Sequence, residues 1–187
     1  MRIIAGEARG LRLFTPKDLQ IRPTSDRVKE SIFNIVQNYL YDGTVIDLFS
    51  GTGNLGIEAL SRKAQKVYFV DKSQESIEII KKNLHKTNFI SKAEVLHADV
   101  VSAIHKLANK NVQADIIFMD PPYKQGLAVV ALEEIIRNKL LHPLGIVVVE
   151  HDKNEDIPGE IDSILQFRCK NYGNTSATFY KQKEEVQ

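Results

Sequence analysis

The 187-residue sequence predicts an α/β protein built on a doubly wound, mostly parallel sheet. Short apolar runs alternate with segments of helical period between residues 45 and 150, a rhythm suited to right-handed crossovers between parallel strands. The first run, Val45 to Phe49, passes at once into Gly51-Thr52-Gly53-Asn54-Leu55-Gly56, a G-x-G-x-x-G turn that opens a helix. Beyond residue 164 the rhythm changes. Leu165 to Asn171 and Ser176 to Lys181 are separated only by a turn containing Gly173-Asn174, so the sheet should finish in an antiparallel hairpin.

Taken in order, Arg2 to Ala5 and Leu11 to Phe14 are β-prone runs around Gly6 and Gly10 and read as a small N-terminal hairpin appended to the core. Arg22-Pro23-Thr24-Ser25-Asp26 offers an extended pre-proline residue and several caps. It leads into a helix whose stripe is Val28, Ile32, Ile35, Val36, Tyr39 and Leu40, stopped by Gly43. Lys66 to Asp71 is the second core strand, and Ser73 caps a helix through Ile77, Ile80 and Leu84. Ala93 to His97 is the third strand, followed by Asp99 and a short helix near Val101 to Leu107. Ala114 to Met119 is the fourth strand, and a helix over about Leu127 to Asn138 leads to the fifth at Ile146 to Glu150. With the hairpin this makes seven strands. The expected division is a single domain over 1–187, with a hairpin extension at 1–22, a Rossmann-like core at 23–181 and a disordered tail at 182–187.

Composition narrows the class. No stretch reaches the roughly 18 to 20 apolar residues that cross a bilayer. The N-terminus carries Arg2, Glu7, Arg9 and Arg12 where a secretory signal would be apolar, so a cytoplasmic protein without a membrane partner is expected. The single cysteine, Cys169, has no metal-ligand spacing around it, and the five histidines fall in unrelated elements; no metal is expected. The net charge is +1, but residues 1 to 30 hold seven basic against four acidic side chains. Any nucleic-acid contact should therefore start from that end.

A glycine turn after the first strand, with an acid at the end of the second, suits an adenosine-bearing cofactor whose ribose hydroxyls need an acceptor. Asp71 is that acid, 18 residues after Gly53. Nicotinamide and S-adenosylmethionine sites share this geometry. Asp47, four residues before the first glycine, would repel a pyrophosphate but welcome a free amino group. The alternative for Asp47 is a buried acid capping backbone donors, and Asp99 suits either an adenine amine or the N-cap of the next helix.

The second discriminator is Asp120-Pro121-Pro122-Tyr123, at the carboxyl end of the fourth strand, where open α/β sheets bind ligands. Methylating an exocyclic amine requires its nitrogen lone pair to be drawn out of the ring's conjugation and aimed at the methyl carbon. The Asp120 carboxylate and the Pro121 carbonyl would hold the two amine hydrogens, and the proline pair adds no competing N–H. Tyr123 would stack on an extruded base.

With these motifs the chain resembles the class I S-adenosylmethionine-dependent methyltransferases that act on amino groups. Arg2-Ile3-Ile4-Ala5-Gly6, Arg9-Gly10, Arg22-Pro23-Thr24, Asp26-Arg27-Val28, Phe33-Asn34 and Leu55 to Arg62 make it resemble more closely the RsmD-type family, bacterial enzymes that methylate N2 of a guanine in 16S ribosomal RNA. The resemblance implies S-adenosyl-L-methionine as cofactor and ribosomal RNA as partner, within the small subunit or an assembly intermediate. It implies a cofactor site from Asp47, Ser50, Gly51, Thr52, Gly53, Asn54, Gly56, Asp71, Lys72, Asp99 and Val100, and a catalytic set of Asp120, Pro121, Pro122 and Tyr123. RNA contacts fall to Arg9, Arg12, Arg22, Thr24, Arg27 and Lys124. The chain has Ser50-Gly51-Thr52-Gly53 where the family often has Ala-Gly-Ser-Gly, Asp71 where it often has Glu, and Tyr123 where many members have Phe. The rivals are an amino methyltransferase for adenine or a protein glutamine, a non-catalytic RNA-binding assembly factor, and, last, a nicotinamide dehydrogenase.

Overall fold

In the computed structural model, which describes residues 1–16, 26–122 and 126–183, helix α1 (Asp26–Val36) is extended by a 3₁₀ turn, Gln37–Tyr39. There follow β1 (Thr44–Leu48), α2 (Asn54–Ser61), β2 (Lys66–Asp71), α3 (Gln74–Thr87), β3 (Ala93–His97), α4 (Val100–Asn109), β4 (Ala114–Met119), α5 (Leu127–Arg137) and β5 (Leu141–Asp152). The chain finishes in β6 (Glu160–Ile161), β7 (Ile164–Tyr172) and β8 (Thr175–Gln182). One sheet has the order β3-β2-β1-β4-β5-β8-β7-β6. Its first five strands are parallel, and β8 joins β5 antiparallel. The order reverses direction between β1 and β4, and that switch point is where this kind of sheet opens a crevice at the strands' carboxyl ends.

Strand alternation explains the two cores. Val45, Val67, Phe69, Ile116, Phe118, Ile146, Val148, Ala177 and Phe179 face one side and pack against the apolar stripes of α1, α2 and α3. Ile46, Leu48, Val70, Ile117, Met119, Val147, Val149 and Tyr180 face the other, against α4 and α5. Both faces are covered, so the central strands read as continuous apolar runs.

Three expectations change. The N-terminal hairpin is reduced to one antiparallel bridge, Arg2 with Arg12, and it is no loose appendage. Ile3, Ala8 and Leu13 are buried in the first core, and the segment, turning at Gly6 and Gly10 with φ +84° and +85°, bonds α2 and α3 instead. The Glu58 carboxylate accepts the Ile4 and Ala5 amides at 2.8 and 3.0 Å, Ser61 Oγ accepts Ala8 N–H at 3.0 Å, and Asn83 Oδ1 accepts Phe14 N–H at 2.7 Å. Glu58 and Lys29 form a fully buried ion pair at 3.1 Å. The sheet also has an eighth strand, the two-residue β6. Finally, two residues of the expected tail are ordered: Gln182 ends β8, and Lys183 donates from its backbone to Ser163 and from Nζ to Glu160, while 184–187 lie outside the described residues.

Candidate active site

The turn after β1 is built chiefly by hydrogen bonds within the protein. Asp47, 2% exposed, accepts Gly56 N–H at 2.9 Å through Oδ2, tying the end of β1 to the first turn of α2. Ser50 cross-links β1 and β2: its hydroxyl donates to the Asp47 and Val70 carbonyls and accepts Val70 N–H. Asp71 receives Gly51 N–H at 2.8 Å and Ser73 N–H at 2.8 Å. Asn54 Oδ1 accepts from Lys29 Nζ at 2.8 Å, and the Thr52 carbonyl accepts from Asn83 Nδ2 at 2.9 Å. Gly56 cannot carry a side chain, since a Cβ there would lie 2.3 Å from the Phe69 ring. Gly51, with φ +55°, has open space above it instead.

A cleft of about 1100 Å³ opens at the switch point. Gly51, Asp71, Lys72, Asp99 and Val100 line one end, Asp120, Pro121 and Pro122 the middle, and Arg27 the α1 side. Asp47, Ser50, Thr52, Gly53, Asn54 and Gly56, expected as direct cofactor contacts, are not part of its wall. Their polar atoms shape the turn from behind, and for Asp47 the bond observed is the one to a backbone donor. Asp99 faces the cleft and also caps α4, its Oδ1 accepting Ser102 N–H at 2.9 Å; that bond holds its carboxyl below the usual range. Arg9 and Arg12 are exposed but away from the cleft wall, and Arg22, Thr24, Tyr123 and Lys124 lie outside the described residues.

Several wall residues were not anticipated. Phe49 has φ +60°, a left-handed conformation that costs a bulky residue of order 1 to 3 kcal/mol and tends to mark functional turns. Glu150 and Asp152 come from the carboxyl end of β5, and Asn171 to Thr175 from the β7–β8 turn. The general rule that parallel strands present ligands at their carboxyl ends pointed to β5 as much as to β4.

Electrostatically the centre is acidic. Burial pushes Asp47 up to about 8, with the Gly56 bond opposing and Asp71 adding to the shift. Asp120 is raised well above the usual carboxylate range, first by burial, then by the charges of Glu150 and Asp47. Such displaced carboxyls concentrate where acid–base or amine chemistry is done. Among the described residues no group of three or more His, Cys, Asp or Glu is placed to hold a metal, and no helix is long and apolar enough to cross a membrane.

A parallel sheet closed by an antiparallel hairpin, with a glycine turn after β1 and Asp-Pro-Pro after β4 at one crevice, is the architecture of a class I methyltransferase. The family model described as "Conserved hypothetical protein 95" matches residues 1–181. A Bacillus subtilis protein provisionally named as an rRNA methyltransferase is 37% identical over 183 residues, 98% of this chain and 100% of its own length. The ribosomal RNA small subunit methyltransferase D of Haemophilus influenzae is 36% identical over 158 residues, 84% of this chain and 81% of its own. A solved Escherichia coli structure, provisionally described as a methyltransferase, superposes with a TM-score of 0.86 at 28% identity and 98% coverage of both chains. The chain belongs to the Conserved hypothetical protein 95 family, that of the RsmD-type methyltransferases.

Proposed function

We propose that the chain is an S-adenosylmethionine-dependent enzyme that methylates the exocyclic N2 amine of a guanine in small-subunit ribosomal RNA, within the subunit or an assembly intermediate, and that it works in the cytoplasm as one domain. The observation that carries this reading is Asp120-Pro121-Pro122 at the switch-point cleft, 1100 Å³ in volume and shared with Gly51, Asp71 and Asp99. These residues suit the cofactor. The bare face of Gly51 leaves room for a ligand to approach the backbone, while Asp71 and Asp99 offer acceptors to a ribose diol and an adenine amine. A pyrophosphate in the same place would meet those carboxylates.

When bound, the cofactor supplies an electrophilic methyl group whose bonding electrons return to sulfur on transfer. The protein's part is placement. The Asp120 carboxylate accepts one N2 hydrogen and the Pro121 carbonyl the other, which turns the nitrogen lone pair toward the methyl carbon. As the N–C bond forms the nitrogen becomes acidic, and the Asp120 oxygen, whose proton affinity burial has raised, takes the departing proton. Arg27, exposed on the cleft wall, is assigned to phosphate together with Arg9 and Arg12 on the N-terminal segment.

The test is transfer of tritiated methyl groups to small ribosomal subunits that lack the modification, followed by nucleoside chromatography. Label eluting as N2-methylguanosine is expected. No incorporation, incorporation only into DNA, or label eluting as N6-methyladenosine overturns the assignment.

A further inference from the structure

Glu150 lines the cleft, yet the placement of the amine by Asp120 and Pro121 gives it no task. Its position is tightly fixed. Strands β4 and β5 are parallel with Met119 opposite Val149, so one residue further on Asp120 and Glu150 are lateral neighbours, with backbones about 4.8 Å apart. Alternation from Phe118 and Val148, both buried against the α1–α2 layer, sends both carboxylates to that face. Glu150 is 5% exposed, and its charge is the second cause, after burial, of the raised proton affinity of Asp120.

Base chemistry supplies a partner for the second acid. Asp120 and Pro121 account for both hydrogens of an exocyclic amine, but a guanine brings a further donor on the adjacent ring atom, N1–H. Of the four RNA bases only guanine has a ring N–H beside its amine; adenine and cytosine present a lone pair there. A donor set against a buried wall without an acceptor loses its water bonds for nothing, and a lone pair set against a carboxylate is repelled.

Resting on the proposed guanine-N2 reaction, we propose that Glu150 is a specificity-determining residue that accepts the ring N1–H of the target guanine beside Asp120. The cleft then reads two neighbouring donor groups with two neighbouring carboxylates, and so selects guanine over every other base bearing an exocyclic amine. A site built to bond a substrate N–H rejects analogues lacking it far more strongly than an apolar pocket could.

The probe is the small subunit carrying, by RNA ligation, either guanine or 2-aminopurine at the mapped acceptor position. 2-Aminopurine keeps the 2-amine but has a lone pair at N1. Wild type should prefer guanine by roughly a hundredfold or more in kcat/KM. Glu150→Gln keeps the shape and can donate an amide hydrogen to that lone pair. It should lower activity on guanine, raise it on 2-aminopurine, and shrink the preference at least tenfold. A substitution that merely loosens the fold would lower both activities together. Because 2-aminopurine fluoresces when unstacked, its emission on binding Glu150→Gln should also exceed that on binding wild type. Equal use of the two bases by wild type, or an unchanged ratio in Glu150→Gln, overturns the role of Glu150. Absence of methylation of the guanine particle by wild type overturns the underlying reaction instead.

Discussion

The turns after β1 and β4 lie side by side at the switch point and are built on opposite plans. In the β1 turn polar groups are satisfied internally: Asp47 on Gly56, Asp71 on Gly51 and Ser73, Asn54 on Lys29. In the β4 turn the prolines offer no N–H, and Asp120 stands desolvated, with Glu150 as its nearest source of negative charge. A satisfied turn is a rigid holder. A desolvated acid is a stored tendency to bind protons or donors, and that tendency is useful only when an amine arrives. Changes in the first turn should therefore register as stability or cofactor affinity, and changes in the second as turnover.

The largest effect is expected at Asp120. Asp120→Ala should lower kcat in the subunit methylation assay by about a thousandfold or more, since in the proposed mechanism it removes both alignment and the proton acceptor. Its thermal midpoint should hold or rise, because a desolvated charge has gone. Next comes the contrast between two glycines of one turn. Gly56→Ala drives a Cβ into Phe69 and should cost about 1 to 3 kcal/mol or more of stability by denaturant titration. Gly51→Ala meets no neighbour, so its stability loss should be only the left-handed strain of about 1 kcal/mol, while its cofactor affinity falls.

A third test uses pH. The folded Asp47 keeps its proton up to about pH 8, whereas in the unfolded chain it loses it near the ordinary carboxylate value of 3.8. The native state thus binds more protons across that window, and stability should fall as pH rises from about 4 to 8, at up to roughly 1.4 kcal/mol per unit. Asp120 acts with the same sign. In melts of the cofactor-free protein Asp47→Asn should flatten this slope and leave only the Asp120 share; an unchanged slope would mean that Asp47 is ionised throughout. The smallest effect belongs to Asp99, where loss of the Ser102 cap should cost about 1 kcal/mol, a melting shift of about 2 to 4 °C, with a matching modest loss of cofactor affinity.

Local signals made much of this legible in the sequence. The runs Lys66–Asp71, Ala93–His97 and Ala114–Met119 are strands over the bounds their composition suggests, and Ser73 caps α3 as its position implied. Long-range pairing was not legible. Nothing local tells that Glu58 receives amides 53 and 54 residues earlier, so the N-terminal segment looked like an appendage when it is part of the first core. β6, two residues long, has no period to detect. The glycine motif identified the turn but not which of its residues face outward, because that depends on Phe69, Lys29 and Asn83 from other elements. Glu150 looked like the end of an apolar strand, and only the β4–β5 register sets it beside Asp120.

A division of labour between the two turns requires that cofactor affinity survive in the inactive variant. Calorimetric titration of S-adenosylmethionine into wild type and Asp120→Ala should give dissociation constants within about threefold of each other while turnover is lost. Loss of cofactor binding in step with turnover would contradict it.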